Sequence, residues 1–183
     1  FGQQIEKFKY QFGLRLEQAY QIPELLSDDA SIPNTYFNAF PSAHIKYALN
    51  ERNELGLSYS RRISRARAGQ LNPFTNYADP FNLRRGNPYL QPEYIHSFDL
   101  AYTFEKKTFS ISSSLYYRRS VGVITRVKEF YEDNTSAITY QNLSSTNALG
   151  TELVLMFKPF PFWRTTASFN GNLVEYYTDL QGL

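Results

Sequence analysis

The chain has 183 residues, a formal net charge of +2, no cysteine, and 17% aromatic residues, among them 15 Tyr and 15 Phe. The lack of cysteine excludes disulfides and thiolate zinc sites, and so small a charge gives no footing for a nucleic-acid partner. No stretch approaches the ~20 consecutive apolar residues of a membrane helix, so helical membrane crossing is excluded.

The first element is an alternation: Phe8, Tyr10, Phe12, Leu14 and Leu16 against Lys9, Gln11, Gly13, Arg15 and Glu17. Side chains two apart share a strand face, so the spacing predicts a strand over Phe8–Leu16 with one apolar and one wet wall. A polar, proline-bearing loop follows from about Gln18 to Thr35, with Asp28 and Asp29 in its middle. A second strand, about Phe37–Leu49, sets Phe37, Ala39, Ala43, Ile45, Tyr47 and Leu49 against Asn38, Ser42, His44 and Lys46. Pro41 lies inside it and cannot donate to a ladder. Asn50 to Asn53 reads as a tight turn. A third strand carries Leu55, Leu57, Tyr59, Arg61 and Ile63, and a long loop runs from about Ser64 to Pro92. Asn72-Pro73 and Asn87-Pro88 punctuate that loop as turns. With Tyr77, Phe81 and Tyr89 they predict an ordered rather than a floppy segment.

The fourth strand shows Phe98, Leu100, Tyr102 and Phe104, and Glu105 to Lys107 read as the second tight turn. The fifth begins with Phe109, Ile111, Ser113, Leu115 and Tyr117 and extends toward a loop near Glu129 to Asn134. The sixth lies between Ile138 and Lys158, Pro159 to Pro161 form the third short turn, and the seventh starts at Trp163 with Ala167, Phe169 and Leu173.

Short turns of three to five residues thus alternate with loops of about ten to thirty, which predicts an all-β antiparallel up-and-down meander of about seven strands. A mean hydropathy of −0.46 suits it, because a barrel strand shows lipid only every second side chain. Short turns on one rim and long loops on the other are the pattern of an outer-membrane β-barrel wall, with short turns periplasmic and long loops extracellular. Asn53, Lys106 and Pro161 then mark the periplasmic rim. Tyr47, Tyr102, Phe104, Phe109, Phe157 and Trp163 gather near the short turns, and Tyr36, Phe37, Tyr94, Tyr117 and Tyr176 toward the long loops, as two interfacial girdles would. The predicted lipid-facing set is Leu55, Leu57, Phe98, Leu100, Ile111, Leu115, Leu153 and Leu155. Both ends look like cuts through a longer chain: no signal peptide precedes Phe1, and the last strand runs into a Gly-containing tail.

Several blocks carry a resemblance: FPSAHIKYALN (Phe40–Asn50), NELGLSYSRRI (Asn53–Ile63), LNPF (Leu71–Phe74) and GNPYLQPE (Gly86–Glu93). In this order they resemble the C-terminal barrel region of TonB-dependent outer-membrane receptors, especially those of Bacteroidetes-type bacteria. The resemblance implies that residues 1–183 are part of a 22-stranded-type barrel, with plug domain, TonB box and final strands outside them. It implies import of a scarce nutrient (an iron chelate, cobalamin, a glycan or a peptide) across the outer membrane of a Gram-negative bacterium. The implied partners are the rest of the barrel and the plug, the TonB complex acting through that plug, and outer-membrane lipid or lipopolysaccharide.

The residues nominate no catalytic set, metal site or cofactor site, so binding and transport are expected rather than catalysis. His44 and His96 lie on different strands without metal-ligand spacing. Glu129, Glu132 and Asp133, like Asp28 and Asp29, read as solvated loop charge. Arg61, Arg62, Arg65, Arg67, Arg84 and Arg85 form a basic cluster at the outer rim. Their forked guanidinium groups suit lipopolysaccharide phosphates or an anionic substrate, and rim solvation or pairing with Asp79 and Glu93 is an equal reading. Arg15, Glu17, His44, Lys46, Asp99 and Glu152 fall on the wet face and are expected to line the lumen. The rivals are a non-transporting barrel (an adhesin or anchor), a soluble β-sandwich binding module and, more remotely, an outer-membrane enzyme.

Overall fold

The computed structural model describes residues 1–21, 24–25, 30–31, 34–131 and 134–178. In chain order its elements are β1 (Gly2–Ile5), β2 (Phe8–Gln21), β3 (Glu24–Leu25), β4 (Ala30–Ser31), β5 (Asn34–Asn50) and β6 (Asn53–Ser64). The short helix α1 (Ala68–Leu71) follows, then β7 (Asn82–Arg84), β8 (Glu93–Lys106), β9 (Phe109–Phe130), β10 (Ser136–Phe160) and β11 (Trp163–Thr178). One nine-stranded sheet runs β1-β2-β5-β6-β8-β9-β10-β11, with β7 added beside β10. β3 and β4 make a separate two-stranded hairpin.

The seven expected strands are all present as an antiparallel meander, and most run longer than the alternation alone indicated. Two additions lengthen the sheet. β1 pairs with β2 through a turn at Glu6–Lys7, where Glu6 takes a φ of 50°. β7 pairs with β10 in parallel, the one departure from the meander.

The expected turns need correction. Each is two residues, not three to five: Glu51–Arg52, Lys107–Thr108 and Pro161–Phe162. The β8–β9 ladder persists to Lys106 opposite Phe109, which puts Glu105 and Lys106 inside a strand. Pro159 lies in an irregularity between Phe157 and Phe160, where a bulge absorbs the missing N–H. Pro41 is tolerated for a related reason. The β5–β6 ladder ends at Ser42 opposite Ser60, so the proline withdraws no bond from β6.

The outward connections also differ from expectation. Only residues 131–135 join β9 to β10, so this connection is short and the strands themselves, 22 and 25 residues long, carry the wall outward. A tilted membrane strand needs about 9–11 residues. The apolar face ends on that scale: Phe109 to Tyr117 on β9, Phe104 back to Phe98 on β8, and Leu55 to Tyr59 on β6. The next outward positions on that face are Arg119, His96 and Arg61, direct partners across three strands.

Register confirms the two faces. Leu57, Leu100 and Leu115 are cross-strand partners, as are Tyr59, Phe98 and Tyr117, and the whole expected lipid-facing set shares their face. Arg15, Glu17, His44, Lys46, Asp99 and Glu152 share the other. Tyr36 pairs with Ala19 and Tyr176 with Thr146 on that polar face, so neither belongs to an interfacial girdle, a correction that follows from one-residue parity.

The sheet is a single layer. Buried apolar residues are few, namely Phe40, Leu71, Leu90 and Ala137 among the described residues, whereas Phe12, Leu14, Leu57, Leu100, Leu115, Phe169 and Leu173 are exposed. A β-sandwich would bury that face against a second sheet; here it is a continuous greasy wall. β1 and β11 form the sheet's two ends, so it is not closed upon itself. Unpaired edge groups are costly in lipid.

Candidate functional site at the outer rim

The loop from Arg65 to Pro92 is a built structure. α1 begins with the Arg67 N–H donating to Gln70 Oε1 at 2.9 Å. Four side chains then fold the chain on itself by accepting from the backbone two residues on: Asn72 from Phe74, Asn76 from Ala78, Asp79 from Phe81 and Asn87 from Tyr89, all at 2.9–3.0 Å. These Asx turns replace the ladder that a loop lacks. The Asn82 side chain also donates to Asp79 at 3.0 Å. That bond first, then the Phe81 N–H, holds the Asp79 carboxyl below the usual carboxylate range. Gly86 is buried, and a Cβ there would lie 2.5 Å from the carbonyl oxygens of both Gln70 and Asn72. Only glycine permits that approach.

The loop is then fastened to the wall. β7 lies beside β10, and the Arg85 N–H donates to the Ile138 carbonyl at 2.9 Å. The Asn87 side chain donates to the Tyr140 carbonyl at 2.9 Å. Asn142 accepts from the Gln91 N–H at 2.9 Å and donates to the carbonyls of Gln91 and Gly122 at 2.8 and 2.7 Å. Gly122 has a φ of 69°, a left-handed geometry that suits the compensating irregularities near Asn142 and Ser144. Glu93 accepts from the Ile124 N–H at 2.8 Å. Each hydrogen bond of this kind contributes about 0.5–1.5 kcal/mol net. So fastened, the loop holds Phe74, Tyr77, Phe81 and Tyr89 exposed on its surface.

A second feature is a fork in the wall. Beyond Ser42 and Ser60, β5 continues with β2 while β6 continues with β8. Arginines bridge the gap. Arg61 Nη1 donates to the Ala39 carbonyl at 3.2 Å, and its guanidinium lies over the Tyr94 ring at 4.5 Å. Arg65 pairs with Glu17 and donates from Nε to Tyr36 Oη at 2.8 Å. Arg15 adds a 3.6 Å contact to Glu17 and stacks over Phe40 at 4.6 Å. Loss of solvent, and secondarily Tyr94, raises the Tyr36 hydroxyl above its ordinary value. Two donors here lack any acceptor: Asn38 Nδ2 and Arg61 Nε are both buried without a partner.

The expected basic cluster is therefore divided. Arg61 and Arg65 belong to the fork. Arg85 sits across the wall, paired with Glu129 at 2.9 Å. Arg67 caps α1 through its backbone, Arg84 lies in β7, and Arg62 is exposed on the polar face. The pairings with Glu93 and Asp79 take other forms, since Glu93 serves a backbone N–H and the ion pairs go to Glu17 and Glu129. On the polar wall Lys46 pairs with Glu54 at 2.7 Å and Ser58 donates to Asp99 at 3.4 Å, while His44 and Glu152 lie on the same face. Asp28, Asp29, Glu132 and Asp133 lie outside the described residues. Tyr36, Asn38, Asn87 and Asn142 were not singled out as site residues in the sequence; the Asn-Pro pair was the one visible signal, at Asn87.

Among curated proteins none matches the chain. Solved structures do match in fold. The FrpB iron transporter from Neisseria meningitidis (F5-1 variant) superposes with a TM-score of 0.70 at 12% identity, over 99% of this chain and 26% of its own. The siderophore receptor PirA from Pseudomonas aeruginosa gives 0.67 at 12%, over 92% and 35%. The hemophore receptor HasR of Serratia marcescens, solved as a double mutant with its hemophore HasA and heme, gives 0.69 at 12%, over 91% and 30%. The chain thus spans about a quarter to a third of these proteins. Its fold is that of one sector of their barrels, and the profile of the outer membrane protein beta-barrel family matches residues 1–182. With one greasy face, one polar face and a built outer rim, the chain belongs to the outer membrane protein beta-barrel family and is a stretch of outer-membrane barrel wall.

Proposed function

We propose that this wall is part of a TonB-dependent receptor that imports a scarce nutrient across the outer membrane, by binding and transport rather than catalysis. The observation that carries the reading is the loop of residues 65–92, which is fastened to β9 and β10 on the outer side of an otherwise regular wall. Long loops without regular structure are uncommon unless functional, and a loop held by this many specific bonds is a stable platform on which a solute can settle. The fold shared with an iron transporter, a siderophore receptor and a hemophore receptor supports the same reading. The solute is an iron chelate, cobalamin, a glycan or a peptide. The polar wall bearing His44, Lys46, Asp99 and Glu152 faces the lumen and the plug. Outer-leaflet lipid and lipopolysaccharide meet the apolar face and its outer basic row.

The second reading is a non-transporting barrel, an adhesin or anchor, favoured by the exposed aromatics of the loop. Growth of cells that lack the gene, on limiting iron, cobalamin, glycan or peptide sources, separates the two. The receptor reading expects a defect on one source that is matched by loss of TonB. Unaltered growth on every source, with loss of surface attachment instead, contradicts it.

A further inference from the structure

Between the fastened loop and β10 lies a cleft of about 440 Å³, within the size range of small-molecule sites. Three of its lining residues are rings, Pro73, Pro88 and Tyr89. Tyr89 is 70% exposed, and it is positioned through its backbone: its N–H donates to the Asn87 side chain at 3.0 Å, and that side chain donates in turn to the Tyr140 carbonyl. The polar lining is Gln141, from β10, and the Arg85–Glu129 pair. The pair meets at one point, Arg85 Nη2 on Glu129 Oε2, and Tyr131 donates to that same oxygen. Among the described residues this leaves Glu129 Oε1, the Nε and Nη1 donors of Arg85 and the Gln141 amide without a protein partner. The cleft therefore offers donors and acceptors side by side, with no net charge, next to exposed ring surface. A hydroxyl both donates and accepts, so neighbouring hydroxyls of a sugar suit a carboxylate oxygen and a guanidinium N–H set together, while the C–H face of the sugar suits an aromatic ring. An anionic chelate would meet the Glu129 carboxylate, and a cation the Arg85 guanidinium. A peptide that adds to a sheet needs an open strand edge, and beside the cleft β10 is already paired with both β9 and β7.

We propose that this cleft binds a neutral oligosaccharide, with Tyr89 stacked on a sugar ring and Gln141, Arg85 and Glu129 bonded to its hydroxyls. As a binding site it stands on the lining of the cleft; as a statement about the imported solute it rests on the receptor reading above and selects the glycan among that reading's solutes. The two can fail separately, because sugar binding is measured without transport.

The test is an array of neutral and anionic oligosaccharides probed with the full-length protein in detergent, followed by calorimetric titration of the strongest neutral binder. Tyr89→Ala should weaken that binding about tenfold, the effect of losing an aromatic anchor, and Gln141→Leu by a smaller factor. Tyr89→Phe keeps the ring and should bind nearly as well as the unaltered protein. Tyr77→Ala removes an equally exposed ring that does not line the cleft, and it should leave binding unchanged. Tyr89→Ala keeps the backbone N–H that Asn87 holds, and unchanged amide exchange over residues 87–92 shows that the loop has stayed in place. If that variant does not assemble, Gln141→Leu set against Tyr77→Ala decides. Binding confined to sugars that carry carboxylate or sulfate groups overturns the proposal. So does an array without signal for any neutral sugar, or neutral-sugar binding that Tyr89→Ala and Gln141→Leu leave intact. Binding with the expected losses, together with unaltered growth on every nutrient source in cells that lack the gene, would overturn the receptor reading and leave the site standing.

Discussion

The inner part of the wall and its outer rim are held by different means. Across β6, β8 and β9 inward of the rim the sheet is a plain ladder: Leu57, Leu100 and Leu115 lie side by side on one face, and Gly56, Ala101 and Ser114 on the other. Beyond the row of Arg61, His96 and Arg119, strands part, bulges appear at Gly122 and near Ser144, and individual side chains take over the bonding. Periodicity and solvent set the first region, where any apolar residue of the right parity serves. Particular hydrogen bonds set the second, where Asn87, Asn142, Glu93 and Glu17 each have a named partner. A regular wall therefore tolerates apolar exchange and resists charge, and the rim does the reverse.

The largest predicted break in this comparison is Leu100→Arg. Leu100 lies midway along the apolar band between Leu57 and Leu115, so the charge should cost about 2–4 kcal/mol near the bilayer midplane. Guanidinium unfolding of the full-length protein from lipid vesicles measures it; Leu100→Ile should be nearly silent. Next is Asn142→Ala, which strips the Gln91 backbone and the Gly122 carbonyl of partners. It should cost about 1–3 kcal/mol, visible as faster amide exchange over residues 87–92 with the ladder near Leu100 unchanged. Gly86→Ala forces a methyl against two carbonyls. A cost of about 1–3 kcal/mol from overpacking should appear as new protease cleavage inside residues 65–92 and nowhere in the wall. The smallest effect is on pH. The Asp79 carboxyl is lowered by its bonds to Asn82 and Phe81, so the folded loop binds that proton less readily than the unfolded chain. Its contribution is complete above the ordinary aspartate value, about 4, and fades as pH falls through the lower folded value. Asp79→Asn should remove that dependence from amide exchange at Phe81 and Asn82.

What was legible in the sequence follows the same division. Alternation from Phe8 to Leu16 or from Phe109 to Tyr117 is a direct record of two solvents on two faces, and it located the strands and sorted the residues between faces. Near the outer rim, side-chain parity was needed to place Tyr36 and Tyr176, and counting aromatics near strand ends ignored it. The Asn-Pro pairs announced an ordered loop, because an Asx turn is local. The pairing of β7 with β10 was hidden, since Asn82–Arg84 is too short to show a period and its partner is more than fifty residues away. The fork was hidden for another reason. Alternation continues through Arg61 and Ile63 although the ladder to β5 has already ended, so nothing in the local pattern marks where two strands part company.

The central claim is that one side chain in two along this wall meets lipid and the other meets the lumen. The chain contains no cysteine, which allows single cysteines to be placed in turn along β9, from Ser112→Cys through Tyr117→Cys, in the full-length protein within outer membranes. Each is tested with a bilayer-resident maleimide and with a membrane-impermeant one. The account predicts strict alternation, with Ser113, Leu115 and Tyr117 positions labelled from the bilayer and Ser112, Ser114 and Tyr116 positions labelled, where reagent reaches them, only from water. Labelling of both sets by the same reagent to the same extent would contradict it.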